Sequence, residues 1–436
     1  MYESHLEKIK EIYTSAMDDA GVDGILIHSG EQKTAFLDDR TYPFIVNPHF
    51  NLWVPLDSDE NCLMLYKPGK KPVLFYLQPD DYWHKPPEIP TESWTESWDI
   101  IPVSHIRDVS NYLGDTSRFC YLGENTNLAK NWQIEKINPP EFLKQVHYHR
   151  AYKTDYEIDC ISQANLIAAK GHLEAKQAFM DGLSEFEIQC RYLAAIQHRE
   201  QDTPYASIIA LNENTAVLHY QHYSRERLYS DQLNSFLIDA GACFNGYASD
   251  ITRTYSYRSG IFQDLVIAMN ELQQNLIGLI RPGLAYENLN LNMHERIADL
   301  LSEFDLVRMK PAEMIEQNIT FYFTPHGLGH LLGLQTHDTG GFMQSIKGEE
   351  KSAPEKYPAL RLTREIDDRQ VFTIEPGIYF IPSLLRKLAS ARAGKSVNWP
   401  AIESLVPYGG IRIEDNIAIV DRETINLTRR AFDSLQ

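Results

Sequence analysis

The segment FLIDAGACFNGYASDITRTY, residues 236–255, constrains the fold more than any other part of this chain. Asn245-Gly246 is the strongest short signal for a two-residue hairpin, because both central positions of a type I′ turn need positive φ. If those residues form the turn, 244 pairs with 247 and Asp239 stands opposite Thr252. Asp250 lies two residues from Thr252 on the same strand, so both aspartates project from one face. As diagonal neighbours their backbones lie roughly 7–8 Å apart. Asp239 ends the apolar run Phe236-Leu237-Ile238, which argues for a buried backbone. Two carboxylates aimed at one buried spot repel each other and lose hydration, and a cation between them removes both penalties. The plainer alternative, a turn-capping Asp239 and a solvated Asp250, carries equal weight on this segment alone.

Further along, FTPHGLGHLLGLQTHDTGG (323–341) sets His326, His330 and His337 among five glycines. A lone histidine is usually structural, but three in a glycine-rich stretch favour a site, as ligands or proton-handling groups. Glycine permits the close backbone approach such a site needs. In VFTIEPGIYF, Glu375 sits inside an apolar strand that Pro376-Gly377 interrupts. In GGIRIEDNIAIV, Ile411 and Ile413 share one face while Arg412 and Glu414 share the other. A buried glutamate needs a partner, and Arg412 is the plain one for Glu414. The plain alternative for Glu375 is an edge-strand surface acid, which its apolar neighbours disfavour. Two Asp, two Glu and one His make a hard oxygen set with a single imidazole. That mixture suits Mn²⁺, Co²⁺, Fe²⁺ or Zn²⁺. Four carboxylates can balance two divalent ions, which at roughly 3.5–4 Å apart stabilise both attack and departure in a hydrolysis.

Composition narrows the class. The chain has 436 residues, enough for two or three domains, with 43% hydrophobic and 23% charged residues, as in ordinary globular proteins. Its formal charge of −19 argues against nucleic acid and against a polybasic membrane surface as partners. Five cysteines, odd in number and without a C-x-x-C pair, fit a reducing compartment better than a disulfide scaffold. The amphipathic start, MYESHLEKIKEIYTSAMDDAG, lacks the apolar stretch of a signal peptide, and no run approaches the ~18 apolar residues of a membrane span. The expectation is a soluble, cytoplasmic protein.

Short β-type runs at 24–30, 61–67, 71–77 and 118–123 alternate with helical segments, predicting an α/β domain over 1–152. A capping box, Thr154 with Glu157, then opens a long helix, with another helix near Ser184. Residues 153–436 carry five strand-like segments and helices near 262–280 and 286–303. The stretch from Pro382 to Gly410 reads as a long loop or insertion between two strands.

The ordered set LIDAGA, SDITRT, PHGLGHLLGLQTHD, TIEPGIYF and GIRIEDN closely resembles the pita-bread (M24-type) metallopeptidases, which include methionine aminopeptidase, aminopeptidase P, prolidase and the metal-free creatinases. Supporting phrases, among them FLDDRTYPFIVNPHF, YWHKPP, HYHRAYKTDYE and TPYASIIALNENTAVLHY, extend the resemblance over almost the whole chain, nearest the prolidase and organophosphorus acid anhydrolase branch. It implies a small creatinase-like α/β domain, then a pita-bread α/β domain with a curved, mainly antiparallel sheet. It implies metal ligands Asp239, Asp250, His330, Glu375 and Glu414, holding two divalent ions, Mn²⁺ foremost. Glu375 is also the proton-handling carboxylate, His337 steadies the developing oxyanion, and His219 and His326 line the proline pocket. Arg412 resembles the clamp for a dipeptide carboxylate, for which a guanidinium fork is suited. Tyr205 and Asp39 would border the pocket for the substrate's N-terminal residue, with Tyr286 and Leu360 on an apolar side wall. Thr336, preceding His337, stands where apolar residues are common in relatives. The implied activity is cleavage of Xaa-Pro dipeptides by a homodimer to which Asp39 contributes in cis or in trans, with organophosphorus triesters as side substrates. The alternatives are an Xaa-Pro aminopeptidase acting on longer peptides and a non-catalytic pita-bread binding protein. Retention of all five ligand positions disfavours the latter.

Overall fold

The computed structural model describes residues 1–83 and 85–435; His84 of the YWHKPP phrase lies outside them. The chain divides into two compact units. The first holds residues 1–150, 154–157 and 345–349. Its opening helix, Tyr2–Ala20, buries Leu6, Ile9, Tyr13, Ala16 and Met17 along one face and ends at Gly21 with φ 63. Only a residue tolerant of left-handed backbone ends a helix that way without strain. Six strands form one mixed sheet in the order β4-β3-β2-β1-β5-β6. They are β1 (Gly24–His28), β2 (Leu63–Tyr66), β3 (Val73–Leu77), β4 (Asp99–Val103), β5 (Phe119–Leu122) and β6 (Lys136–Ile137). Every residue of β1, β2 and β5 is buried, as their unbroken apolar runs require.

The second unit holds residues 151–153, 158–344 and 350–436. The Thr154–Glu157 box forms as read: the Thr154 N–H donates to Glu157 Oε2 at 2.9 Å, and the Glu157 N–H to Thr154 Oγ1 at 3.4 Å. The helix it opens runs Asp155–Met180. All strand pairs of this unit are antiparallel. One sheet has the order β11-β8-β7, from β11 (Thr252–Ser256), β8 (Ser235–Asp239) and β7 (Ile208–Leu211). Between β8 and β11 a small hairpin joins β9 (Cys243–Phe244) to β10 (Tyr247–Ala248). A second sheet, β12-β15-β16, contains β12 (Val371–Ile374), β15 (Asp415–Val420) and β16 (Glu423–Asn426). A pair joins β13 (Gly377–Tyr379) to β14 (Gly410–Arg412). Helices Ile261–Ile277 and Tyr286–Glu303 bury Leu265, Met269, Leu272 and Leu276 and Leu289, Met293 and Ile297 in one core. Their three- and four-residue spacing is the helical period, and each such side chain contributes about 1.5–3 kcal/mol on burial.

The stretch read as a long loop or insertion does lie between two strands, β13 and β14, but it is largely helical: Pro382–Ser390 and Trp399–Leu405, anchored by Leu385, Leu388, Ile402 and Leu405. Each helix is short and has a proline in its first turn, where the missing N–H costs nothing. Helices of nine and seven residues leave too little periodicity for a sequence pattern to show.

Candidate metal centre

The hairpin brings the aspartates to one place. Phe244 pairs with Tyr247 and Asp239 with Thr252, in the expected register. Asn245 and Gly246 have φ of 50 and 80, as a type I′ turn demands. Asn416 fixes the backbone at Asp250 from both sides, its amide bonding both the N–H and the carbonyl of that residue.

The glutamates meet through strand pairing. Ile374 is the partner of Asp415 in the β12–β15 ladder. One step beyond that pair stand Glu375 and Glu414. Glu414 forms a bridge with Thr252, whose hydroxyl donates to Glu414 Oε2 at 2.7 Å. Arg253 clips this junction, its Nη1 donating to the carbonyls of Thr252 at 2.9 Å and Glu414 at 2.8 Å. On the other side of β12, the Thr373 N–H bonds the His330 carbonyl and the Glu375 N–H bonds that of Leu328, both at 2.9 Å. This approach needs glycine at 329, where a Cβ would lie 2.3 Å from the Thr373 carbonyl.

Asp250, His330 and Glu414, all buried, each offer one ligand atom, and the three atoms lie within 4.8 Å of one another. His330 Nδ1 stands 3.0 Å from the Leu331 carbonyl, so that nitrogen carries the proton. Its Nε2 lone pair then faces Asp250 Oδ2 at 3.3 Å and Glu375 Oε1 at 3.9 Å. Asp239 accepts from Arg412 Nη2 at 2.6 Å through one oxygen. Its other oxygen is buried, and no donor among the described residues reaches it. A buried carboxylate oxygen without a donor is costly unless something cationic meets it.

The charges say the same. Burial, then the negative charges of Asp250, Glu375 and Asp239, hold the Glu414 carboxyl well above the usual carboxylate range. Burial likewise pushes Glu375 up to about 7, although His330 and Arg412 oppose it. Burial also raises Asp239, again against Arg412. Four carboxylates around one guanidinium and one imidazole fit divalent cations. The residues present could hold them through hard oxygen donors and a single nitrogen.

Carboxyls raised in the folded chain bind protons there that the unfolded chain has released. The chelated protein should therefore lose stability as pH rises from the ordinary Glu value of 4.5 through about 7. Cations replace those protons, so the melting-temperature gap between Mn²⁺-loaded and chelated protein should widen between about pH 5.5 and pH 8. A gap independent of pH would count against cation binding at this cluster.

The other expected residues divide. His337 sits edge-on to His330, ring centroids 4.4 Å apart. Partial burial, then His330 beside it, lowers it to about 4, so it is a neutral imidazole near pH 7. His219 is exposed and close enough to His337 to act on it electrostatically. Tyr205 donates to Asp250 Oδ1 at 2.6 Å, a direct bond to an expected ligand. His326 Nδ1 faces the Gly327 carbonyl at 2.8 Å, so its Nε2 accepts from the Tyr379 hydroxyl at 2.9 Å. That hydroxyl accepts in turn from Arg412 Nη1 at 2.8 Å.

Arg412 does not serve as the hydrogen-bond partner of Glu414. Its three bonds go to Asp239, Tyr379 and the Thr252 hydroxyl. Tyr286 and Leu360, expected on an apolar side wall, are 0% and 1% exposed. The Tyr286 hydroxyl bonds the Thr373 carbonyl at 2.7 Å, and a Cβ at Gly327 would meet Leu360 Cα at 2.7 Å. Both thus back the histidine segment. Asp39 lies in the first unit, exposed, in a turn spanned by the Thr34–Thr41 bridge. Sequence reasoning missed Tyr379 and Asn416. Tyr379 lies four residues after Glu375 and Asn416 two after Glu414, and that nearness is the one signal that could have found them.

Residues 159–421 match metallopeptidase family M24, and residues 1–148 match the N-terminal domain of Xaa-Pro dipeptidase. The chain belongs to metallopeptidase family M24. It is 45% identical over 432 residues to an Xaa-Pro dipeptidase of Aeromonas hydrophila, covering 99% of this chain and 98% of that protein. It is 46% identical over 431 residues to one from Pseudoalteromonas haloplanktis, covering 98% of each. Among solved structures, aminopeptidase PepP of Pseudomonas aeruginosa shares the fold with a TM-score of 0.72 at 18% identity, covering 98% of both chains. Aminopeptidase P of Escherichia coli with the inhibitor Pro-Leu gives 0.71 at 20% identity, covering 97% of this chain and 95% of that one. The α/β architecture expected from sequence is therefore the M24 architecture, with antiparallel pairing throughout the second unit.

Proposed function

We propose that this chain is a metal-dependent Xaa-Pro dipeptidase whose centre is Asp239, Asp250, His330, Glu375 and Glu414. The observation that carries the reading is the convergence of these acids and His330 on one buried spot beside Arg412 and His337. The full-length similarity to Xaa-Pro dipeptidases supports it.

These five residues would hold two divalent ions, Mn²⁺ by preference, which would supply Lewis-acid chemistry toward the scissile carbonyl and the attacking water. The chain's own residues do the rest. Glu375 has the most open side chain of the expected ligands that pair with His330, 18% exposed against 8% for Asp250. It takes the proton from the attacking water and hands it to the leaving proline nitrogen. That nitrogen belongs to a tertiary amide and must be protonated to leave. The neutral His337 ring donates an N–H to the developing oxyanion. Tyr205 holds Asp250 in place, and His219 and His326 line the proline pocket. Arg412 has five N–H groups, of which three are engaged, one on each of its nitrogens. One N–H on each terminal nitrogen remains for the dipeptide's carboxylate. A homodimer and slow hydrolysis of organophosphorus triesters belong to the same proposal.

The test is an assay with added Mn²⁺ on Xaa-Pro dipeptides and Gly-Pro-type tripeptides. Dipeptide cleavage with tripeptides resistant is expected; cleavage of tripeptides at comparable kcat/KM would favour an aminopeptidase. Arg412→Ala should raise KM for dipeptides far more than it slows a neutral phosphotriester. Equal losses on both substrates would mean that Arg412 chiefly supports Asp239.

A further inference from the structure

Glu185, the first residue of helix Glu185–Ile196, is 1% exposed and has no cation among its hydrogen-bond partners. Its carboxylate instead takes four donors from one stretch of chain. Oε1 accepts from the Leu211 N–H and from Asn214 Nδ2, both at 2.9 Å. Oε2 accepts from the Tyr220 hydroxyl and from the Ser224 N–H, both at 2.7 Å. The Phe186 N–H closes the clasp on the Ser224 carbonyl at 3.0 Å. Asn214 Nδ2 also reaches the Tyr220 hydroxyl at 3.0 Å, tying two of the donors together.

The stretch so held, 211–224, carries His219, next in sequence to the clasped Tyr220. The same stretch carries Thr215, whose hydroxyl accepts from the Gly410 N–H at 2.7 Å, at the start of the strand that ends in Arg412. Residues 217–224, His219 among them, form no helix or strand of their own, so their course depends on contacts such as this clasp. A carboxylate is the fitting hub, because an ionised carboxylate only accepts and each of its oxygens can take two of the four donors.

We propose that Glu185 is a positioning residue for substrate capture, holding the 211–224 loop so that His219 meets the substrate over His337. This rests on the dipeptidase reading above. An amide at 185 turns an NH₂ toward two donors, at least one of them a backbone N–H that cannot turn away. The loop must then shift, and displacements of about 1 Å can cost up to about a hundredfold in rate.

The experiment is a double-mutant cycle on the full Mn²⁺-loaded chain with an Ala-Pro substrate. Glu185→Gln should lower kcat/KM about ten- to a hundredfold, chiefly through KM, while binding as much Mn²⁺ as the wild type. His219→Ala should lower it too, and the double variant should be no slower than His219→Ala alone. Tyr220→Phe, which removes one donor and keeps the ring, should show a smaller loss with the same non-additivity. Additive losses, lost Mn²⁺ or wild-type kinetics in Glu185→Gln would each overturn the proposal. If circular dichroism shows Glu185→Gln unfolded, the Tyr220→Phe cycle decides, and additivity there overturns it. A His219→Ala variant as fast as wild type overturns this inference and leaves the dipeptidase standing. A wild-type chain inert on every Xaa-Pro dipeptide overturns the proposed function itself.

Discussion

Asp250→Asn and Glu414→Gln should each abolish turnover and lower the metal content. Both side chains stand in the tightest part of the cluster, within 4.8 Å of each other and of His330. Either change keeps the volume, so the packing around β11, β14 and β15 should survive. Lewis-acid stabilisation is worth several kcal/mol, and losing it corresponds to about a thousandfold or more in rate. Elemental analysis after dialysis, paired with kcat, tests both variants. Two equivalents of metal retained with near-normal activity would sink the binuclear assignment. Mn²⁺ should restore activity to chelated wild-type protein, and restore little of it to either variant.

The part of this centre that was legible in the sequence was the part built by local chemistry. Asn245-Gly246 dictates a turn, the turn dictates a register, and the register puts Asp239 opposite Thr252. Nothing in that chain of reasoning needed residues far away. Pro376-Gly377 likewise marked the break between β12 and β13 at which Glu375 emerges. The meeting of Glu375 with Glu414 is different in kind. It depends on β12 pairing with β15 across some forty residues, two helices and a separate β13–β14 pair. No local pattern encodes that pairing, and only the resemblance to a known family pointed to it.

The partners of the charged groups were the least legible. Arg412 and Glu414 share a strand face, which made an ion pair between them the plain expectation. The guanidinium instead reaches Asp239 at 2.6 Å, because β14 lies beside β11 and β8 and not only beside its own continuation. Tyr286 and Leu360 show the converse limit. Their apolar character suits a pocket wall and the layer behind it equally, and both side chains are fully buried. Glu185 gave no signal at all, since an acid in a helix's first turn is ordinary on electrostatic grounds alone.

His337→Ala and His330→Ala should separate catalysis from metal retention. The two rings are 4.4 Å apart at an interplanar angle of 81°, seven residues apart in sequence, yet they are held differently. His330 is buried, its Nδ1 fixed by the Leu331 carbonyl and its Nε2 turned into the acids. His337 is more open, only partly covered, and its ring meets that of His330 edge to face. A neutral ring there can donate to an oxyanion without bringing a positive charge against the cations. Such a donor is typically worth ~3–4 kcal/mol, about a hundred- to thousandfold in kcat. His337→Ala should therefore lose that much rate with its metal intact, and KM should change little because the oxyanion exists only in the transition state. His330→Ala should lose metal together with rate. If metal analysis showed His337→Ala depleted and His330→Ala fully loaded, the two roles would be exchanged. If neither variant slowed, the glycine-flanked histidines would be structural, and the donor to the oxyanion would have to be sought among His219 and Tyr379.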